Sequence, residues 1–233
     1  MLRRRRRDSG DQPRPFEDSH ESERVAASSG PWDIADDYPD SERIDCGSLL
    51  VPVREGFDVQ INVAEEQGAW VAVVQGESGM QLQAFAAPRS GGLWDDVRHE
   101  IAANIADSGG SCEESQGQAG PELHARVPVG DEGGQSGELQ PVRFLGFDGP
   151  RWFLRGVISG PAATGAAAGA PFDELFADVV VVRGDYPAPP REQLEIQLPE
   201  EARQALEAQL ADENEGWGLA DPFTRGPEIT ETR

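Results

Sequence analysis

The chain contains no lysine: all 20 of its basic residues are arginines, set against 43 aspartates and glutamates. Without a lysine amine it cannot form a Schiff base, and a formal net charge of −23 repels nucleic acid phosphates and anionic lipid over most of the surface. Together with abundant Ala and Gly, the exclusive use of arginine is explained most simply by codon bias in a GC-rich genome. Cysteine is almost missing as well. Cys46 and Cys112 stand far apart, with no CxxC and no histidine at a ligand spacing, which supports neither a disulfide framework nor a zinc site and fits a reducing compartment. Long apolar runs are absent; none approaches the ~18 residues a membrane span needs. The run Arg3, Arg4, Arg5, Arg6, Arg7 is followed by DSGDQPRPFEDSHESE instead of an apolar stretch, so it does not read as a secretory signal. These absences place the protein in the cytoplasm, with no transmembrane segment.

Hydrophobic residues make up 37% of the chain, below the ~45 to 50% of ordinary globular domains, so part of it is expected to lie outside a core. Residues 1–42 read as a disordered arm, first basic and then acidic and Ser/Pro-rich, unable to bury enough surface to offset its ordering entropy. Within it Trp32, Ile34 and Tyr38 are hydrophobes among acids, the composition of a short docking segment, and docking on the chain's own domain is favoured over a partner. Residues 43–211 read as a single domain, and 212–233 as a second acidic, disordered tail with Trp217 and Phe223 as isolated aromatics.

Inside the domain, SLLVPV (48–53), FDVQINV (57–63), AWVAVVQ (69–75) and MQLQAFA (80–86) read as strands of an antiparallel meander, separated by Gly56, Gly68 and a GESG turn. Leu93, Trp94, Val97, Ile101 and Ile105 then fall on one helical face, with Asp95 and Asp96 in the first turn where they suit the helix dipole. Residues 107–120 read as a loop, ELHARVPV (122–129) as a half-buried strand, and 142–160 as a hairpin turning on Asp148-Gly149-Pro150. An Ala/Gly-rich loop is expected over 161–171 and one helical turn over 172–177. DVVVVR (178–183) is expected as a central strand buried on both faces. Tyr186–Pro190 reads as extended chain, and 199–210 as a short helix with Pro at its start. The fold class is α+β: mainly antiparallel sheet packed by one or two helices.

Catalytic constellations are not found. GESG, GQSG and GVISG, around Ser78, Ser136 and Ser159, do not match the GxSxG elbow, and neither GxGxxG after a strand nor GxxxxGK[ST] occurs, so no nucleotide cofactor is expected. His20, His99 and His124 read as surface residues. Asp33, Asp36, Asp37 and Asp40 lack the Gly and distal Glu of a calcium loop and read as a solvated acidic run, with no metal. In the hairpin, alternation sets Trp152 and Leu154 toward a core and Arg151, Phe153 and Arg155 on the other face, where the arginines could take a carboxylate. Arg183, ending the valine run, joins them as a candidate, although the chain's own acids could equally supply the partners.

GPWD (30–33), RIDCGSLLVPV (43–53), LQAFAAPRSGGLWDDVRHEI (82–101), FLGFDGPRWFLRGVISG (144–160) and VVVVRGDYPAPPREQLEIQLP (179–199) resemble the DUF3710 family of actinobacterial proteins. The resemblance carries no catalytic or binding residues with it. It implies a weak link to nucleotide metabolism through a neighbouring dUTP pyrophosphatase gene, and the order of elements looks like the α/β/α sandwich of Mog1 and PsbP. The expected function is therefore a non-enzymatic interaction or accessory module whose partner is another protein. The alternative is a small-ligand binder or enzyme with a pocket near Trp152, Arg155 and Arg183. Contact of Arg3–Arg7 with an anionic surface is a lesser expectation, because the adjoining acids neutralise the run.

Overall fold

The computed structural model describes residues 30–64, 68–128, 139–200 and 203–204. The expected arm up to residue 29, most of the expected helix at 199–210 and the tail at 212–233 lie outside the described residues. In chain order the elements are β1 (Trp32–Asp33), β2 (Arg43–Asp45), β3 (Leu49–Pro52), β4 (Asp58–Ala64), β5 (Gly68–Gln75), β6 (Ser78–Ala86), α1 (Leu93–Asp107), β7 (Ser111–Gly117), β8 (Gly120–Pro128), β9 (Leu139–Gly149), β10 (Trp152–Ser159), α2 (Ala166–Ala177) and β11 (Val180–Val181). A seven-stranded antiparallel sheet has the order β4-β5-β6-β10-β9-β8-β7, and a four-stranded sheet the order β1-β11-β3-β2. The α+β class follows directly from this composition.

Side-chain alternation along β10 divides the molecule into two layers of packing. Trp152, Leu154 and Ile158 point to one side and, with Met80, Leu82 and Ala84 of β6, meet Phe172, Leu175 and Phe176 of α2 and Leu49, Val51 and Val181 of the small sheet. Each such side chain, fully buried, contributes about 1.5 to 3 kcal/mol. Gly156 belongs to this fit, because a Cβ there would stand 2.9 Å from the Phe176 ring. On the opposite side Phe153 packs with Leu93 and Trp94 of α1. Beyond the end of the β5 ladder, β6 is continued by the C-terminal segment: Leu194 N–H donates to Ala84 O at 2.9 Å and Ala86 N–H to Glu192 O at 2.7 Å. Two more bonds, Ser48 N–H to Glu195 O and Gln197 N–H to Cys46 O, carry the same segment to the small sheet.

Four expectations are corrected. The stretch 107–120 is not a loop: β7 occupies Ser111–Gly117, exposed and polar along most of its length, and is held by its backbone ladder to β8 without an apolar face to announce it. The Ala/Gly-rich stretch at 161–171 is largely helix, since α2 starts at Ala166 and runs through Gly169 and Pro171. Alanine's helix propensity and the burial of Phe172, Leu175 and Phe176 outweigh the two breakers. Val179, Val180 and Val181 of the valine run are fully buried and the run lies between β1 and β3, but only Val180–Val181 form a ladder because those neighbouring strands are short. Finally, there is no exposed Arg-Phe-Arg face, because α1 covers Phe153 to 2% exposure.

Structure also starts ahead of residue 43. Trp32 and Asp33 pair in parallel with Val180 and Val181, and the Asp33 carboxylate accepts a 2.6 Å hydrogen bond from the Trp152 indole Nε1–H. That bond satisfies the one polar atom of a tryptophan otherwise enclosed in hydrocarbon.

Candidate functional site

Helix α1 has no N-cap of its own. Gly92 before it adopts φ 83° and offers no side chain, so the orphan N–H groups of the first turn need an acceptor from elsewhere. Asp148, at the end of β9, supplies it: its two carboxylate oxygens lie 3.1 and 3.2 Å from Trp94 N. Burial, the largest influence, pushes the Asp148 carboxyl above its ordinary value, while bonds from the Trp94, Gly92 and Leu93 amides pull it back. The Trp94 indole lies over Gly146, where a Cβ would collide with the ring, and its Nε1–H donates to Pro121 O at 2.7 Å. Arg98 of α1 is buried; it bonds Asp95 at 2.6 Å and Glu114 of β7 at 3.2 Å. The helix is thus fixed over the β7-β8-β9 half of the large sheet.

Between the fixed helix and β6–β10 a groove remains, with a cavity of about 250 Å³ lined by Phe85, Leu93, Val97, Ile101 and Phe153, together with Glu100, Asn104, Arg155 and Arg191. Phe153 stacks between Trp94 (centroids 5.7 Å apart) and Phe85 (5.9 Å) and forms an aromatic floor. Arg155 stands two residues along the same strand face. Its guanidinium sits 5.2 Å from the Phe85 centroid and donates from one terminal nitrogen to Gln83 Oε1, while its Nε is buried with no hydrogen-bond acceptor. No carboxylate among the described residues pairs with it. Burial lowers its pKa, yet a guanidinium stays charged in a protein. At the rim, Arg191 clasps Glu100 through two bonds of 2.8 and 2.9 Å, joining the C-terminal segment to α1.

The other sequence candidates are placed elsewhere. Arg151 forms the hairpin corner at φ 63°, and its carbonyl accepts bonds from Ala87 N–H at 2.9 Å and Arg183 Nε–H at 3.2 Å. Arg183 also donates to Tyr186 O at 3.1 Å and lies over that ring, so backbone carbonyls absorb its donors. Arg183 lines clefts beside Tyr186, Arg155 lines the groove under α1, and Trp152 is fully enclosed in the core. Trp32 and Asp33 dock on the chain's own fold, Tyr38 lies 5.0 Å from the Arg43 guanidinium, and Ile34 stays 43% exposed.

Ser78 Oγ accepts from Ala162 N–H at 3.0 Å, a structural bond; Ser136 and His20 lie outside the described residues. His99 Nδ1 sits 2.7 Å from Asp95 O. The polar group Ser115, Glu122, His124 does not form a nucleophile and base pair, because both Ser115 Oγ (3.2 Å) and His124 Nε2 (2.7 Å) contact the Glu122 carboxylate and not each other. Cys46 is buried and its thiol is pushed up to about 11, so it is not a nucleophile at neutral pH. Among the described residues no group of three metal-ligating side chains could hold an ion.

A family model described as protein of unknown function (DUF3710) matches residues 30–205. The chain belongs to the DUF3710 family. No curated protein and no solved structure matches it. The DUF3710 match begins at Gly30, immediately before β1, so it includes the Trp32–Asp33 strand that completes the small sheet, and it spans all the residues that build the groove. Sequence reading missed two of the groove's supports, Asp148 as a cap and Arg191 as a clasp. The available signal for the first was a helix starting after Gly-Gly with no Ser, Thr, Asp or Asn to cap it.

Proposed function

We propose that the domain is a non-enzymatic interaction module, acting in the cytoplasm, that holds an acidic, aromatic-bearing segment of a partner protein in the groove beside α1. The observation that carries this is Arg155: a partly buried guanidinium without a carboxylate partner among the described residues, at the edge of an aromatic floor. Leaving a charge desolvated and unpaired costs stability, and an incoming carboxylate would recover that cost through a charge-assisted bond to the buried Nε and the terminal nitrogens. An aromatic or aliphatic side chain next to that carboxylate would fill the space between Phe85, Val97, Ile101 and Phe153. The groove has the apolar lining with few polar groups that characterises ligand sites. The strongly acidic surface elsewhere would not attract such a segment, so recognition depends on this one locus.

The test is a titration of the full chain with the synthetic peptide acetyl-Glu-Asp-Trp-Gly-Leu-Asp-Glu-amide, followed by methyl and amide NMR. Resonances of Leu93, Val97, Ile101 and Phe153 should move together, and Arg155→Gln should weaken the peptide at least about tenfold, the loss expected for one charge-assisted bond. Equal affinity for the Gln/Asn counterpart of the peptide, or shifts centred away from α1, would overturn the reading.

A further inference from the structure

Resting on that reading, we infer that the groove is served by an occupant within the same chain: the stretch DENEGWGLADPF at 212–223, whose Trp217 and Leu219 sit between Glu215 and Asp221. Two observations point to it. The first is chemical complementarity, since this stretch offers apolar side chains flanked by carboxylates to a groove made of an aromatic floor and an arginine, Arg155, that has no carboxylate partner among the described residues, whereas Arg191 at the rim is already taken up by Glu100. Elsewhere on this acidic protein such a segment would meet repulsion.

The second is reach. Arg191 lines the groove, and the chain runs from it along β6 to Leu198, a distance of at most about 25 Å even if fully extended. From Leu198 to Trp217 the chain can span about 60 Å, more than twice what a return to the groove requires. The N-terminal arm, with Phe16 among its acids, is the rival occupant that the experiment must exclude.

A tethered occupant acts at a local concentration of millimolar order. It would shield Phe85, Phe153 and Arg155 from water and from weak partners, and a partner segment must displace it. The tail then sets a threshold for binding without altering the groove.

The experiment compares three full-length proteins, wild type, Trp217→Ala/Leu219→Ala and Arg155→Gln, each titrated with a synthetic peptide of residues 212–223 and with the acidic tryptophan peptide used above. The double variant should bind both peptides about tenfold more tightly than wild type, the gain expected from releasing a tethered competitor. In wild type without peptide, the resonances of Val97 and Ile101 should already lie toward their peptide-bound positions. Equal affinity of wild type and the double variant, with binding still at the groove, overturns the tail inference and leaves the proposed function standing. Failure of both peptides to bind the double variant overturns the reading of the groove itself. An effect of Trp217→Ala/Leu219→Ala that grows with protein concentration assigns the occupancy to a second copy and overturns the intramolecular form. Release of the groove by Phe16→Ala instead would assign it to the N-terminal arm and overturn the choice of segment.

Discussion

Removing the Asp148 carboxylate should loosen α1 and with it the roof of the groove. The carboxylate is the acceptor for the first turn of a helix that begins after Gly92 and brings no cap. Loss of an N-cap costs about 0.5 to 2 kcal/mol, and hydrogen bonds to charged groups lie near ~1.5 to 3 kcal/mol. Against this stands the desolvation that holds the Asp148 carboxyl above its usual value, so Asp148→Ala should cost about 1.5 kcal/mol. Asp148→Asn keeps an acceptor oxygen and removes the buried charge, and should stay within about 0.5 kcal/mol of wild type at neutral pH. Linkage fixes the sign of the pH effect. With its folded pKa raised above the ordinary 3.8, Asp148 contributes stability that is complete below that value and is lost as pH rises through the folded pKa. The stability of wild type relative to Asp148→Asn should therefore fall as pH rises across that window and be flat at neutral pH. Urea denaturation of the full chain, followed by tryptophan fluorescence, reads both effects, and a chain of this size should lose about 2 to 4 °C of Tm per kcal/mol. An Asp148→Ala protein indistinguishable from wild type, or an Asn variant as damaged as the Ala variant, would refute the capping argument.

Three further outcomes are expected. Gly146→Ala should displace the Trp94 indole and break its bond to Pro121, costing about 1 to 3 kcal/mol by overpacking and changing the near-ultraviolet circular dichroism. Asp178 holds Arg43 and Arg54 at 2.6 Å each; because Arg43 is buried and Arg54 is 43% exposed at its side chain, Asp178→Ala should destabilise by about 3 kcal/mol in urea and Arg54→Ala by less than about 1 kcal/mol. Under native conditions iodoacetamide should alkylate Cys112 well before Cys46, as read by peptide mass spectrometry, because the buried Cys46 thiol is pushed up to about 11.

Where side chains report on burial, the sequence could be read directly. Met80, Leu82 and Ala84 alternate because β6 has one covered face, and Trp152 with Leu154 declared the core side of β10 for the same reason. Ser111–Gly117 lacked any such pattern, since an edge strand held by its backbone need not bury side chains. In α2, Gly169 and Pro171 looked like breakers, yet Gly169 lies where a Cβ would crowd the Arg143 guanidinium, at 2.8 Å. Its smallness serves tertiary packing, which local propensity does not register. The site was half legible. Arg155 was singled out by its place on the hairpin, but the alternation that grouped it with an exposed Phe153 could not know that α1 would lie across that phenylalanine. Arg183 carried the same signal and proved to be occupied by carbonyls, because a backbone partner leaves no trace in composition.

The order of the small sheet has a consequence for the protein's synthesis. Val180–Val181 sits between Trp32–Asp33 and Leu49–Leu50, so the first strands to leave a ribosome wait for one made far later. Until then Leu49 and Val51 have no layer to cover them, and the pairing must close a long loop before any ladder bond offsets its entropy. Such non-local pairings fold slowly. Nascent chains of this protein would therefore spend much of their elongation with an open hydrophobic seam, and ribosome-associated holdases have a defined stretch, Ile44 to Val53, on which to act.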